Sequence, residues 1–383
     1  MLKSQYINFY RGVAILLVFF LHITQNFDPT LFNNELKLFF NMGQFGVQLF
    51  FIISSITLCS SIRNRNEGTF LYFYIRRLFR IIPIYYISII IYFIFNYITM
   101  NRNDFDNLYN YNSIIKTVFF INTFDSRYFN HIVPGNWSVS DEMVFYLILP
   151  FLYFIQQKYS NKFFIIFSII SIFICYYFID ILFFVNEKYF YYNDISSKYL
   201  EGFGFFYTII FTQLSVFLIG IIFSKFNKIN NYISFILFIA FLFLTFYIML
   251  YSIPNNKFLI NNGPFYYLIT ISISFCLFIN FSFNFINKSN NHFVRFISLI
   301  GEYSFSIYLF HFIIIDNIDK TFDSLGFYEN DEYILYQILL LFIISFFITI
   351  NLCKYSHRYI ENYFIAMGSK IIHKLKNKNE NHQ

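Results

Sequence analysis

Along the 383-residue chain, ten stretches recur that are predominantly apolar and long enough, at roughly 20 residues, to cross the hydrocarbon core of a bilayer as helices. They lie near 9–27, 38–61, 79–99, 141–157, 162–184, 203–223, 231–253, 265–287, 297–315 and 333–353. Backbone placed in lipid has to satisfy its own hydrogen bonds, and runs of this length do so as helices. The chain therefore reads as an all-α, polytopic membrane protein with about ten transmembrane helices. Its composition excludes an ordinary water-facing domain, because 57% of the residues are hydrophobic and only 13% are charged. Charge weakens the signal in two of the ten: the first span carries Arg11 and His22, and the fourth opens at Asp141 and Glu142.

Lysine and arginine set the orientation, since short cytoplasmic loops retain them. With the N-terminus inside, 19 of the 27 basic residues fall on the cytoplasmic side, among them Arg63, Arg65, Arg76, Arg77, Arg80, Lys225 and Lys354. Acidic residues lean to the other face, as in the stretch from Asp316 to Glu332. Both termini are expected in the cytoplasm, with 100–140 and 316–332 outside. The net charge of +6 then reflects topology and implies no nucleic-acid partner. Residues 1–364 read as one integral membrane domain, and 365–383, KIIHKLKNKNENHQ at its end, as a basic, solvated cytoplasmic tail. No cleavable signal is read in the first span, and no internal repeat stands out. Cys59, Cys175, Cys276 and Cys353 are scattered without metal-ligand spacing, so they read as small apolar fillers and no metal is expected.

Ionisable residues at membrane depth are costly and mark function by default. In FYRGVAILLVFFLH, Arg11 and His22 are eleven positions apart, roughly 16 Å along a helix. Arg11 reads either as an inner-interface anchor that snorkels to the headgroups or as a ligand for an anion. His22, in the outer half of the bilayer, is either a satisfied structural histidine or a reactive one. In FLYFYIRRLFRIIPIYY, Arg76 and Arg80 share a helical face at the inner entrance of the third span, with Arg77 beside them. Plain topological retention and bidentate phosphate binding both fit that cluster.

PGNWSVSDEMVFYLILP, 134 to 150, enters the fourth span from outside, and Ser138 or Ser140 before acidic residues has the look of a helix start. The fourth helix descends where the first rises, so Glu142 and His22 are candidates for a carboxylate and imidazole pair. LIGEYSFSIYLFH puts His311 mid-way along the ninth span, with Glu302 nearer the inner face.

In order and wording these phrases resemble the multi-spanning membrane acyltransferases of acyltransferase family three. The family's first helix carries arginine, ten residues and histidine, matched by Arg11 and His22. FGVQLFFIISSITL resembles its second-helix phrase, with Ser55 where glycine is usual, and RRLFRIIPIYY its third, with Pro83 and Tyr85. WSVSDEMVFYLILP matches through Trp137, Ser138, Glu142, Phe145, Tyr146 and Pro150, and GEYSFSIYLFH through Gly301, Ser304, Tyr308 and His311. HRYIENYF keeps Glu361 but has Asn362 and Tyr363 where a proline usually follows.

The resemblance implies an O-acyltransferase of a bacterial inner membrane. The donor is acyl-coenzyme A, acetyl-CoA in the first place, in the cytoplasm, and the acceptor is a hydroxyl of a surface or lipid-linked glycan outside. On that reading His22 and Glu142 are catalytic, with His22 a general base or transient acyl carrier. Arg11, Arg76, Arg77 and Arg80 hold the coenzyme's phosphates, while Trp137, Ser138, Tyr146, Ser304 and His311 line the path. A different class stays open beside it: a transporter or glycan flippase that uses the histidines as a proton relay.

Overall fold

A computed structural model describes residues 4–65, 69–189, 207–225, 229–252, 263–288, 291–328 and 333–380. The described residues are almost wholly helical. In chain order the helices are α1 (Ser4–Thr24), α2 (Asn34–Asn41), α3 (Gly46–Arg65), α4 (Leu71–Thr99), α5 (Arg102–Leu108), α6 (Tyr111–Val118), α7 (Asn136–Lys158) and α8 (Asn161–Tyr189). They continue as α9 (Ile210–Phe223), α10 (Asn231–Ser252), α11 (Gly263–Lys288), α12 (His292–Glu302), α13 (Ser304–Ser324), α14 (Ile334–Ser356) and α15 (Asn362–Glu380). Among the described residues, eight helices are long and apolar enough to cross a membrane, or nine if the bent pair α12 and α13 forms one span.

Every apolar run expected from the sequence falls on a helix, and the differences have local causes. The sixth run is represented by α9, 14 residues and roughly 21 Å long, too short for a ~30 Å core; residues 203–206 of that run lie outside the described residues. The ninth run is bent by 75° where α12 meets α13 at Tyr303, within the polar interruption GEYS of 301–304. The third starts at Leu71 rather than 79, so the arginine cluster lies inside a helix of 29 residues. The acidic stretch after Asp316 is helical as far as Ser324, with 329–332 outside the described residues.

The basic tail is helical as far as Glu380. A π-helical turn at His357–Glu361 links α14 to α15, and α15 lies against α4 with Ile372 buried, Gly368 at Phe79 and the Lys376 ammonium 5.4 Å from the Tyr72 ring centre. The four cysteines are free and buried.

Helix α1 is the hub, packed against α3, α11, α12, α13 and α14. Lipid offers no hydrophobic gain for bringing apolar helices together, so close backbone approach through small residues carries the packing. At the crossing of α1 and α12, a Cβ on Gly301 would stand 1.7 Å from the Asn8 carbonyl oxygen. Gly301→Val should therefore destabilise by more than about 3 kcal/mol, the upper end of ordinary overpacking, because backbone cannot yield as a side chain does. The measure is fluorescence size-exclusion chromatography after heating, and a melting profile like the wild type's would contradict this packing. Across α3 and α9, Ser55 is buried with its Oγ 2.9 Å from the Phe51 and Ile52 carbonyl oxygens, and a Cβ on Gly220 would lie 2.1 Å from that Oγ. Helices α8 and α10 turn large apolar residues such as Ile174 and Phe243 outward, as lipid contact requires.

Candidate active site

Helix α7 starts at Asn136 because Gly135, at φ +80°, turns the chain into it. A left-handed residue is cheap only as glycine, and here a Cβ would also stand 2.9 Å from the Tyr308 hydroxyl. The expected start at Ser138 or Ser140 is thus displaced, and both serines lie within the helix. Ser138 donates to the Gly135 carbonyl at 3.1 Å and to the Tyr308 hydroxyl at 2.7 Å, and Tyr308 in turn donates to the Gly135 carbonyl at 2.9 Å. The segment before α7 is plugged onto its first turns by buried polar groups. Ser140 donates to Asn122 at 2.5 Å, Asn122 donates to Asn136 at 3.1 Å, and Thr123 donates to the buried Asp141 at 2.5 Å. Further out on this segment, partial burial works upward on the Asp125 carboxyl, but bonds from Arg127 and Lys116 hold it well below the ordinary carboxylate range.

Glu142 sits almost two turns into α7 and faces a cavity of about 630 Å³, open mouth included, between α1, α3, α4, α7 and α13. Ser54 donates to Glu142 Oε1, and Tyr146, one turn further along α7, donates to the same oxygen at 2.5 Å. Arg11 from α1 and Arg80 from α4 line the cavity, as do Ser138, Ser304 and Tyr308. Two guanidinium groups against one carboxylate leave this wall with net positive charge, suited to an anionic ligand. The Arg77 guanidinium lies 5.8 Å from the Phe73 ring centre and 6.0 Å from that of Tyr146, so it stacks beside the cavity wall. Arg76 is half-buried on α4 and is not among the lining residues.

His22 and Glu142 do not share a hydrogen bond. His22 Nδ1 lies 2.7 Å from Gln25 Oε1, and its ring packs 4.2 Å from Phe312 and 5.2 Å from His311, centre to centre. The fold instead groups Glu142 with Arg11 and Arg80. It connects to the histidines through α13, where Ser304, Tyr308 and His311 follow one another on one face, with the Tyr308 and His311 rings 5.9 Å apart. Trp137 is buried against Phe51 and Tyr207, 6.3 and 6.0 Å away, behind the lining residues. Ser54, Asn122 and Thr123, which bond Glu142, Ser140 and Asp141, are not singled out in the sequence, since a small neutral polar residue carries no charge to mark it.

Glu361 has a separate place. It is buried at the π-helical turn, accepts from Ser306, and lies 3.3 Å from His357 Nδ1, whose Nε2 is 3.5 Å from Glu302. This cluster ties the start of α14's extension to the α12–α13 bend, two residues from Ser304 of the cavity.

No curated protein and no solved structure matches the chain. The profile of the acyltransferase family 3 domain matches residues 4–354, which include every residue lining the cavity and both intramembrane histidines. The chain belongs to acyltransferase family 3.

Proposed function

We propose that this membrane acyltransferase moves an acyl group, acetyl in the first place, from cytoplasmic acyl-coenzyme A to a hydroxyl of an extracytoplasmic glycan or glycolipid. The observation that carries this reading is the arrangement on α1. Arg11, in a cationic cavity with Arg80, and His22, beside the buried His311, are about 16 Å apart on a single helix. Guanidinium groups bind phosphate through charge-assisted bonds, so Arg11 and Arg80 hold the coenzyme's anionic part. Glu142, held by Ser54 and Tyr146, offsets part of the positive charge of the two arginines. The thioester arm then runs along α13 past Tyr308 towards the histidines. His22 meets the acyl carbon there, as base or as transient carrier.

The basic-residue asymmetry supports an orientation with the Arg11 end inside and the His22 end outside, and the family reading supports a bacterial inner membrane as the location. In a chain with its native cysteines replaced, a cysteine at exposed Tyr111 should react with an impermeant maleimide added to intact cells, and one at exposed Lys374 should not. The reverse pattern would overturn the orientation. For the reaction, the purified protein in liposomes is supplied with labelled acetyl-CoA and cell-envelope glycans. Base-labile label on the glycan is the expected result. Absence of transfer from acetyl-, succinyl- and longer acyl-CoA alike would overturn the reading.

A further inference from the structure

The two nitrogens of His311 are in unlike situations. Nδ1 lies 2.8 Å from the Tyr308 carbonyl oxygen and 3.1 Å from that of Ile307. A carbonyl oxygen only accepts, so Nδ1 carries the ring proton and Nε2 of the neutral ring carries the lone pair. The residue is fully buried, and among the described residues Nε2 has no hydrogen-bond partner. An acceptor left unsatisfied in a closed interior costs free energy. Phenylalanine would fill the same place without that cost, and Phe19 and Phe312 already pack on the ring at 5.9 and 4.2 Å. The imidazole is explained by a proton donor that arrives with a substrate, and for an O-acyltransferase that donor is a hydroxyl.

We infer that His311 is a catalytic residue, the base that takes the proton of the acceptor hydroxyl. The inference rests on the acyl-transfer reading and divides the work between two rings 5.2 Å apart, both packed on Phe312 at 4.2 Å. With Nδ1 of His22 bonded to Gln25, His22 also presents a lone pair at Nε2. In the first step that nitrogen attacks the thioester carbonyl, a C–N bond forms, the C–S bond breaks, and the coenzyme leaves as thiolate. In the second, the acceptor oxygen attacks the acyl carbon while its proton passes to His311 Nε2, and the C–N bond breaks to restore neutral His22. The proton on His311 then converts the thiolate to thiol. The sum is ester plus free coenzyme, and both rings return to their starting tautomers.

The test compares wild type with His311→Asn, which keeps a donor for the two carbonyl oxygens and lacks the Nε2 acceptor, and with His311→Phe. Acceptor acylation should fall by about a hundred- to ten-thousandfold in both, with acyl-CoA affinity within about twofold of wild type. The residual rate of His311→Asn should rise with hydroxide, about tenfold per pH unit, where the wild-type rate levels off; a merely structural lesion gives no such change of profile. Transfer by both variants within about threefold of wild type would overturn the assignment and leave the acyl-transfer reading standing. A wild type that transfers nothing removes that reading, and this assignment with it. If a variant fails to fold, wild-type protein is treated with diethyl pyrocarbonate and His311 modification is read by peptide mass spectrometry. Slower modification with glycan acceptor present supports the base, and an unchanged rate overturns it.

Discussion

His22→Ala should reduce acceptor acylation at least a hundredfold, the lower end of what a positioned acid–base group contributes, and should leave acyl-CoA binding within about twofold of wild type. The separation of effects follows from distance. Arg11, the proposed donor contact on this helix, lies about 16 Å away along α1, and His22 is not among the residues that line the cavity. His22 is bonded to Gln25 in the turn just after its own helix, so its removal breaks no bond between helices. Yield and melting behaviour should stay close to wild type. Product assay by mass spectrometry of the glycan and donor binding by calorimetry make the comparison, and near-normal product from His22→Ala would remove the residue from the reaction. A transporter that relays protons through this histidine would consume no acyl-CoA in either form.

The second large effect is a ranking among arginines that look alike in sequence. Arg80→Ala and Arg11→Ala should each weaken acyl-CoA binding by about 1.5 to 3 kcal/mol, ten- to roughly 150-fold, the worth of a charge-assisted contact. Arg76→Ala, off the cavity wall, should cost well under 1 kcal/mol, as most substitutions away from a site do. Arg77→Ala should fall between, because its guanidinium braces Tyr146, the residue that bonds Glu142. Titration calorimetry with each variant gives the order. Equal losses at Arg76 and Arg80 would return the cluster to a topology signal.

What the sequence discloses here follows from which forces are local. Apolar runs of membrane length place the helices, because lipid leaves the backbone no alternative. Arg11, His22, Glu142 and His311 stand out for the same reason, being costly in that medium. The rotation of one helix against another is not local, and so the partner of Glu142 was not legible: depth alone allowed His22, whereas the fold supplies Ser54 and Tyr146. The bend at Tyr303 falls at GEYS, 301–304, where glycine, a carboxylate and a serine interrupt the apolar run, but that composition does not give the 75° angle. The start of α7 was misplaced because serine before acidic residues is a capping pattern in general, while here Gly135 sets the turn and Asp141 is bonded to Thr123 from a preceding segment. Glu361 kept its motif, but its burial beside Ser306 and His357 depends on a π-helical turn that no residue pattern announces.

The contact between Ser55 and Gly220 carries a consequence for how such a chain changes over time. A glycine at 55 would leave room at 220, but with serine in place the Oγ stands in the space that a Cβ at 220 would need. A side chain at 220 therefore requires the Ser55 hydroxyl to leave the two carbonyl oxygens it bonds. The two positions are coupled, so that what a substitution at one costs depends on the residue at the other, and changing both should cost less than the sum of the single changes.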